Sequence, residues 1–211
     1  MIYKSFSTSD NVKCAIIALH GWTGDVNSMI PIANGLNMDD TKWLFPQAPY
    51  NASEGGYSWF DGEDDSLWNQ NASFKILTTL IKELHQEGFQ HRSIFLIGFS
   101  QGACLAIEFM IRQSFVLGGI IPVAGFIRYK KKFSREASIQ SKKTPVLLIH
   151  GDKDRVIDPE QSVIAKELFR KCGYKVELKL FSTPHKFPFQ GNMIIKNFIE
   201  QNQKDSNQLS H

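Results

Sequence analysis

At 211 residues the chain is long enough to bury one large core, and 42% apolar against 21% charged residues excludes global disorder. A formal net charge of +3 is too small to mark the whole chain as a nucleic-acid binder. The three cysteines, Cys14, Cys104 and Cys172, are odd in number and widely spaced, which excludes a disulfide framework and predicts free thiols.

The N-terminal segment MIYKSFSTSD lacks the apolar stretch of a signal peptide. The longest apolar run, Val116 to Ile127, is too short and too glycine-rich to span a bilayer. A cytoplasmic protein without stable membrane insertion is expected. The first strand is CAIIALH (14–20), and a glycine-containing loop, His20 to Asp25, follows it. WLFP (43–46) is the next strand, and the stretch Ala48 to Trp68, rich in Gly, Ser and Asn, reads as a shaped loop. A helix is predicted over Ser66–Glu87, then the strand SIFLIGF (93–99) and a helix over Gln101–Arg112. The strand VLGGIIPV (116–123) leads to a basic run, Arg128 to Lys132. That run reads as a solvated loop, or as a patch drawn to anionic head groups or an anionic substrate. PVLLIH (145–150) is followed by a helix over Pro159–Cys172, with Asp158 as N-cap, Pro159 at N1 and Gly173 just past the end. The strand YKVELKLF (174–181) and a helix over Gly191–Gln201 complete the pattern. Residues 1–200 are expected to form a single domain, with 201–211 a frayed polar tail.

Strands alternating with helices predict an α/β fold: a mainly parallel sheet with helices on both faces. SIFLIGF and PVLLIH are nearly continuous apolar runs, as suits strands covered on both sides. In such sheets ligands bind beyond the carboxyl ends of the strands. That places the chemistry in the loops after His20, Phe99, Val123, His150 and Phe181.

The loop after Phe99 holds Gly98-Phe99-Ser100-Gln101-Gly102 between a buried strand and a helix. A serine on so sharp a turn has strained backbone angles, and residues two positions away must be small. Ser100 at a helix N-terminus is then a candidate nucleophile. A serine hydroxyl needs a base, and the base needs a carboxylate, in the chain order Ser, Asp, His. Behind PVLLIH stand Asp152, Asp154 and Asp158. Asp158 is explained as a helix cap, and Asp154 has room to face an imidazole, so it is favoured over Asp152. Of the six histidines, His185 alone lies between the last strand and the last helix. His20 and His150 end strands and read as structural hydrogen-bonding groups. No two histidines stand at metal-ligand spacing, so neither a metal nor another cofactor is expected. The oxyanion needs two backbone donors: Gln101 is one, and Trp22 the other, with Thr23 the runner-up.

These motifs resemble the small carboxylesterase, phospholipase and acyl-protein thioesterase family of α/β-hydrolases. The matching elements are HGWTGD (20–25), FPQAP (45–49), GGYSWFD (55–61), GFSQGA (98–103), HGDKD (150–154) and His185, in the family's order. The resemblance implies an α/β-hydrolase fold, a triad of Ser100, Asp154 and His185, and oxyanion donors on Trp22 and Gln101. It also places Trp59 and Phe60 near the site, although both read equally well as core.

Only about twenty residues separate Val123 from Val146, too few for a helical lid with its own apolar face. An open cleft rimmed by Trp22, Phe126 and Phe187 is expected, with Thr23, Trp59 and Phe60 as further substrate contacts. The expected activity is hydrolysis of short- to medium-chain acyl esters or thioesters by a monomer or homodimer, the small-molecule substrate being the only partner. Lysophospholipase or acyl-protein thioesterase activity is the alternative. A peptidase or a catalytically silent binder is a further one.

Overall fold

The computed structural model describes residues 1–62 and 69–208, and side chains as far as Lys204. The expected helix start at Ser66 and loop end at Trp68 lie outside the described residues. The strands are β1 (Tyr3–Ser7), β2 (Cys14–Leu19), β3 (Thr41–Pro46), β4 (Tyr50–Asn51), β5 (Tyr57–Ser58), β6 (Ile94–Phe99), β7 (Gly119–Val123), β8 (Val146–Gly151) and β9 (Val176–Phe181). The helices are α1 (Ile30–Leu36), α2 (Asn71–Gln86), α3 (Gln101–Met110), α4 (Lys130–Glu136), α5 (Glu160–Lys171) and α6 (Asn192–Gln208). The main sheet has seven strands in the order β1-β3-β2-β6-β7-β8-β9, with β4 and β5 paired as a separate hairpin. All neighbours in the main sheet are parallel except β1, which runs antiparallel to β3.

The continuous apolar runs explain the layering. Every residue of β2 is buried, and successive side chains point to opposite faces. Ala15, Ile17 and Leu19 pack with Leu77, Leu80 and Leu84 of α2, Leu105 of α3 and Phe169 of α5. Cys14, Ile16 and Ala18 pack on the other face with Ile32 and Leu36 of α1 and Ile195 and Ile199 of α6. Each fully buried Ile, Leu or Phe contributes roughly 1.5–3 kcal/mol of transfer free energy. Burial also pushes the thiols of Cys14 and Cys104 up to about 11 and about 12, so both are protonated and inert at neutral pH.

Three differences from the sequence reading have physical causes. Strand β1 has no strong apolar pattern because it is an edge strand. Only Phe6 is partly covered, stacked 5.6 Å from Phe45. The basic run is not a plain loop: Lys130 to Lys132 open helix α4, which buries Phe133 against the core. Helix α6 continues to Gln208, past the point where a frayed tail was expected, since no Gly or Pro interrupts it after Gly191. The α5 boundary agrees closely: Asp158 Oδ1 accepts the Glu160 N–H at 2.9 Å, and Gly173 has a positive φ of 87°.

Candidate active site

The carboxyl ends of β2, β6, β7, β8 and β9 bring together the residues singled out from the sequence. Ser100 sits between β6 and α3 at φ 52° and ψ −115°, outside the basins that ordinary residues occupy. Such a conformation costs about 1–3 kcal/mol. It is held from both sides, because the Ser100 N–H donates to Val123 O at 2.8 Å and the turn is packed backbone to backbone. A Cβ on Gly98 would lie 2.4 Å from Gly102 O, and one on Gly102 would lie 2.4 Å from Leu19 O. Only glycine fits at either position.

His185, on the loop after β9, reaches Ser100 with Nε2 lying 3.0 Å from Oγ. Its Nδ1 lies 2.6 Å from Asp154 Oδ2. A carboxylate is an acceptor only, so Nδ1 carries the proton and Nε2 is free to accept from the serine. The other oxygen of Asp154, Oδ1, accepts the backbone N–H groups of Val156 at 2.8 Å and Ile157 at 2.9 Å. Burial works against ionisation of Asp154. The hydrogen bonds from His185 and from the Ile157 and Val156 amides outweigh it and hold the carboxyl below its ordinary 3.8. Asp152 makes a different use of its position: its N–H continues the β8–β9 ladder to Phe181 O, and its side chain is exposed.

The loop after β2 lies against Ser100, since a Cβ on Gly21 would come within 3.6 Å of Ser100 Cβ. Among the described residues the Trp22 and Gln101 N–H groups have no acceptor, whereas the Thr23 N–H is committed to Tyr57 O at 3.0 Å. Two open donors beside a serine suit a developing oxyanion. The loop is braced on several sides. Tyr57 N–H donates to Gly24 O at 3.2 Å, so hairpin strand β5 bonds the loop in both directions. His20 Nε2 accepts the Ala48 N–H at 3.1 Å, which leaves Nδ1–H to donate to Gly21 O at 2.7 Å. Trp59 Nε1–H donates to His20 O at 2.8 Å. The Gln101 side chain ties the elbow to the same segment: Oε1 accepts the Trp59 N–H at 2.8 Å, and Nε2 donates to Ser58 Oγ at 2.9 Å. The FPQAP and GGYSWFD segments therefore act as a frame around the oxyanion loop. The HG and GFSQG patterns held the signal for His20 and Gln101 as struts, but their partners lie too far along the chain to be read from spacing.

A cleft of about 630 Å³ opens at Gln101, the residue after Ser100, lined also by Trp22, Ser58, Phe60 and Asp61 among others. Trp22 is 43% exposed and lines the cleft, whereas Phe126 is half-buried and packs against the core. Two expected substrate contacts are placed differently. Trp59 is 0% exposed because its indole is enclosed as a strut under His20, and the two rings lie 4.9 Å apart. Phe187 is only 6% exposed, drawn into the α1–α6 side of the core instead of the rim. Arg128, from the basic run, lies with its guanidinium 4.1 Å over the Phe60 ring, so it backs the cleft wall. Between Val123 and Val146 the chain builds only the seven-residue α4 and a short 3-10 turn, and among the described residues no cap covers the site.

The buried histidines predict an acid-labile fold. Burial keeps His20 and His150 below their ordinary 6.5, only partly offset by their hydrogen bonds. Burial and the neighbouring His85 do the same to His91. Below pH 6.5 the unfolded chain takes up protons that these native sites refuse, so stability is lost as pH falls. The depressed Asp154 adds a further loss only below about 3.8. The melting temperature is expected to fall steadily from about pH 7 to about pH 5. A melting temperature constant across that interval would contradict the neutral assignment of His20 and His150.

The comparisons with known proteins agree with this architecture. The sequence model of the family described as phospholipase/carboxylesterase matches residues 5–203. An acyl-protein thioesterase 1 from Kluyveromyces lactis is 34% identical over 182 residues, covering 78% of this chain and 80% of the relative. A protein from Oryza sativa subsp. japonica named a probable inactive carboxylesterase is 27% identical over 183 residues, covering 79% of this chain and 75% of the relative. Among solved structures, esterase PE8 superposes with a TM-score of 0.82 at 26% identity, covering 94% of this chain and 97% of the other.

Proposed function

The chain belongs to the phospholipase/carboxylesterase family of α/β-hydrolases, and from that premise we propose that it hydrolyses short- to medium-chain acyl esters and thioesters through an acyl-enzyme on Ser100. The observation that carries this reading is the continuous hydrogen-bonded chain from Asp154 through His185 to a Ser100 held at positive φ. Ser100 Oγ attacks the acyl carbon while His185 Nε2 takes its proton, and Asp154 stabilises the resulting imidazolium. The carbonyl oxygen becomes an oxyanion received by the Trp22 and Gln101 N–H groups. Collapse breaks the bond to the alcohol or thiol, which leaves with the proton from His185. Water then repeats the sequence, releasing the acid and restoring Ser100.

A cleft that no described residue covers favours monomeric substrates. A cleft with the exposed aromatic Trp22 in its wall suits short to medium acyl chains, because each further methylene gains about 0.8 kcal/mol only while it stays buried. Lysophospholipase or acyl-protein thioesterase activity is the alternative, a use of the same machinery on a larger leaving group. Three free thiols suit a reducing compartment, and we assign the protein to the cytoplasm as a monomer or homodimer. Among the described residues no helix is long and apolar enough to cross a membrane.

The test is a panel of ester, thioester and lysophospholipid substrates of graded acyl length, with rate measured against concentration through each critical micelle concentration. Smooth saturation below that point on short and medium esters is the expected result. Negligible activity that jumps at the micelle boundary would defeat the open cleft. No turnover of any substrate would make the chain a silent binder.

A further inference from the structure

His150 ends β8 four residues before Asp154 and is fully buried, so it touches neither the cleft nor solvent. Its ring is nevertheless hydrogen-bonded at both nitrogens. Nε2 lies 3.2 Å from Asp154 Oδ2 and 3.0 Å from Ile157 O. Both are acceptors, so Nε2 must carry the proton and share it between them. Nδ1 is then unprotonated and accepts from the hydroxyl of Ser162, 2.6 Å away and buried in the first turn of α5. Asp154 Oδ2 thus stands between two imidazole N–H groups, from His185 on the reacting side and His150 on the far side.

We propose that His150 is a positioning residue for the reaction, a neutral N–H donor that fixes the orientation and charge of the Asp154 carboxylate. The proposal rests on the reading of Asp154 and His185 as acid and base. Without His150, Oδ2 would be held by His185 alone, and the carboxylate would be tied down only through Oδ1. With it, both oxygens are fixed, and Asp154 cannot turn away when His185 becomes charged. The two acceptors at Nε2 select the tautomer, and the Ser162 hydroxyl completes it by donating to Nδ1. A protonated ring would place a second cation behind the carboxylate, and a neutral Nδ1–H ring would turn its Nε2 lone pair toward Asp154 Oδ2 and the Ile157 carbonyl. The groups facing the ring are Asp154 and the Ile157 carbonyl from the loop after β8, Ser162 from α5 and, beyond Asp154, His185. Burial keeps the ring neutral, in agreement with the hydrogen-bond pattern.

A merely structural histidine would affect melting temperature but not the turnover of folded enzyme. A positioning donor affects kcat with little change in KM, because it does not touch substrate. His150→Leu removes the donor, and His150→Gln can return an N–H near the Nε2 position. Measured per fluorophosphonate-titrated site on a soluble ester, kcat is expected to fall about tenfold or more in His150→Leu, as for partners one step removed from a reacting centre. His150→Gln should recover most of it. The acid limb of the pH–rate profile should also move to higher pH in His150→Leu, because a carboxylate relieved of one donor holds the imidazolium more strongly. Unchanged kcat and acid limb in folded His150→Leu would overturn the proposal. Nitrogen-15 spectra of histidine-labelled wild type provide a check that needs no variant. A neutral, Nε2-protonated His150 between about pH 6 and 8 supports the assignment, and an Nδ1-protonated or charged ring overturns it. Ser100→Ala, run alongside, separates the two levels. If it stays active, the triad reading itself has failed. If it is dead while His150→Leu is fully active, only the role of His150 has.

Discussion

Ser100→Ala is expected to lower kcat by about three to six orders of magnitude while leaving the fold and the melting temperature almost unchanged. The hydroxyl is the only group lost. Alanine occupies the same strained φ of 52° with the same Cβ, so the elbow, the Val123 carbonyl contact and helix α3 persist. His185 loses one hydrogen-bond partner, at Nε2, and keeps its bond to Asp154. What remains is the oxyanion pair acting on water, which leaves some rate above background. A fluorophosphonate probe checks the assignment directly by labelling the wild type and not the variant. Persistent labelling, or turnover within tenfold of wild type, would remove Ser100 from the mechanism. Ser100→Gly adds a second reading of the same position. It should be equally inactive yet slightly more stable, because glycine relieves part of the roughly 1–3 kcal/mol of backbone strain.

Asp154→Asn should cost about 10⁴-fold in kcat, against an effect within about twofold for Asp152→Asn. The geometry dictates which way the new amide points. The Val156 and Ile157 N–H groups donate to Oδ1, so the asparagine carbonyl oxygen must stay there. Its NH2 then occupies the Oδ2 position and faces His185 Nδ1. A donor there turns the imidazole into the tautomer with the proton on Nε2, which cannot accept from Ser100. The same NH2 meets the Nε2 of His150, donor against donor. The fold should survive, since shape is conserved. Asp152 has an exposed carboxylate, and its contribution to the sheet is a backbone N–H that asparagine retains. Steady-state kinetics on the two variants decides the matter, and the reverse ranking would transfer the acid to Asp152.

Much of the fold and of the hydrogen-bonded Asp154–His185–Ser100 arrangement was legible in the chain because the relevant signals are local. The six β-rich runs stood out through apolar content alone, and the elbow through glycines that a sharp turn requires within five residues. Strand β1 was not legible, because an edge strand with one half-buried Phe6 has little pattern to show. The hairpin of β4 and β5 was hidden for a similar reason: its strands are two residues each, and their bonding partner is the loop near Gly24. Phe187 reads from the chain as an apolar rim residue, and Trp59 reads equally as core or, by the family resemblance, as part of the site. Their true environments, the core beside α6 and the underside of His20, depend on packing against distant segments.

By itself the sequence determined the alternation of strands and helices, the sharp turn at Ser100 and the chain order of serine, aspartate and histidine. Each follows from short-range sterics and from the order in which loops leave a parallel sheet. Only the tertiary structure shows which of three aspartates within seven residues meets the imidazole of His185, thirty-one positions from Asp154. It alone decided that Trp22 and not Thr23 keeps an open N–H, because the competing acceptor is Tyr57 on another loop. It alone revealed His150 behind Asp154, for a buried hydrogen bond is a property of two directions in space, which no spacing along the chain encodes.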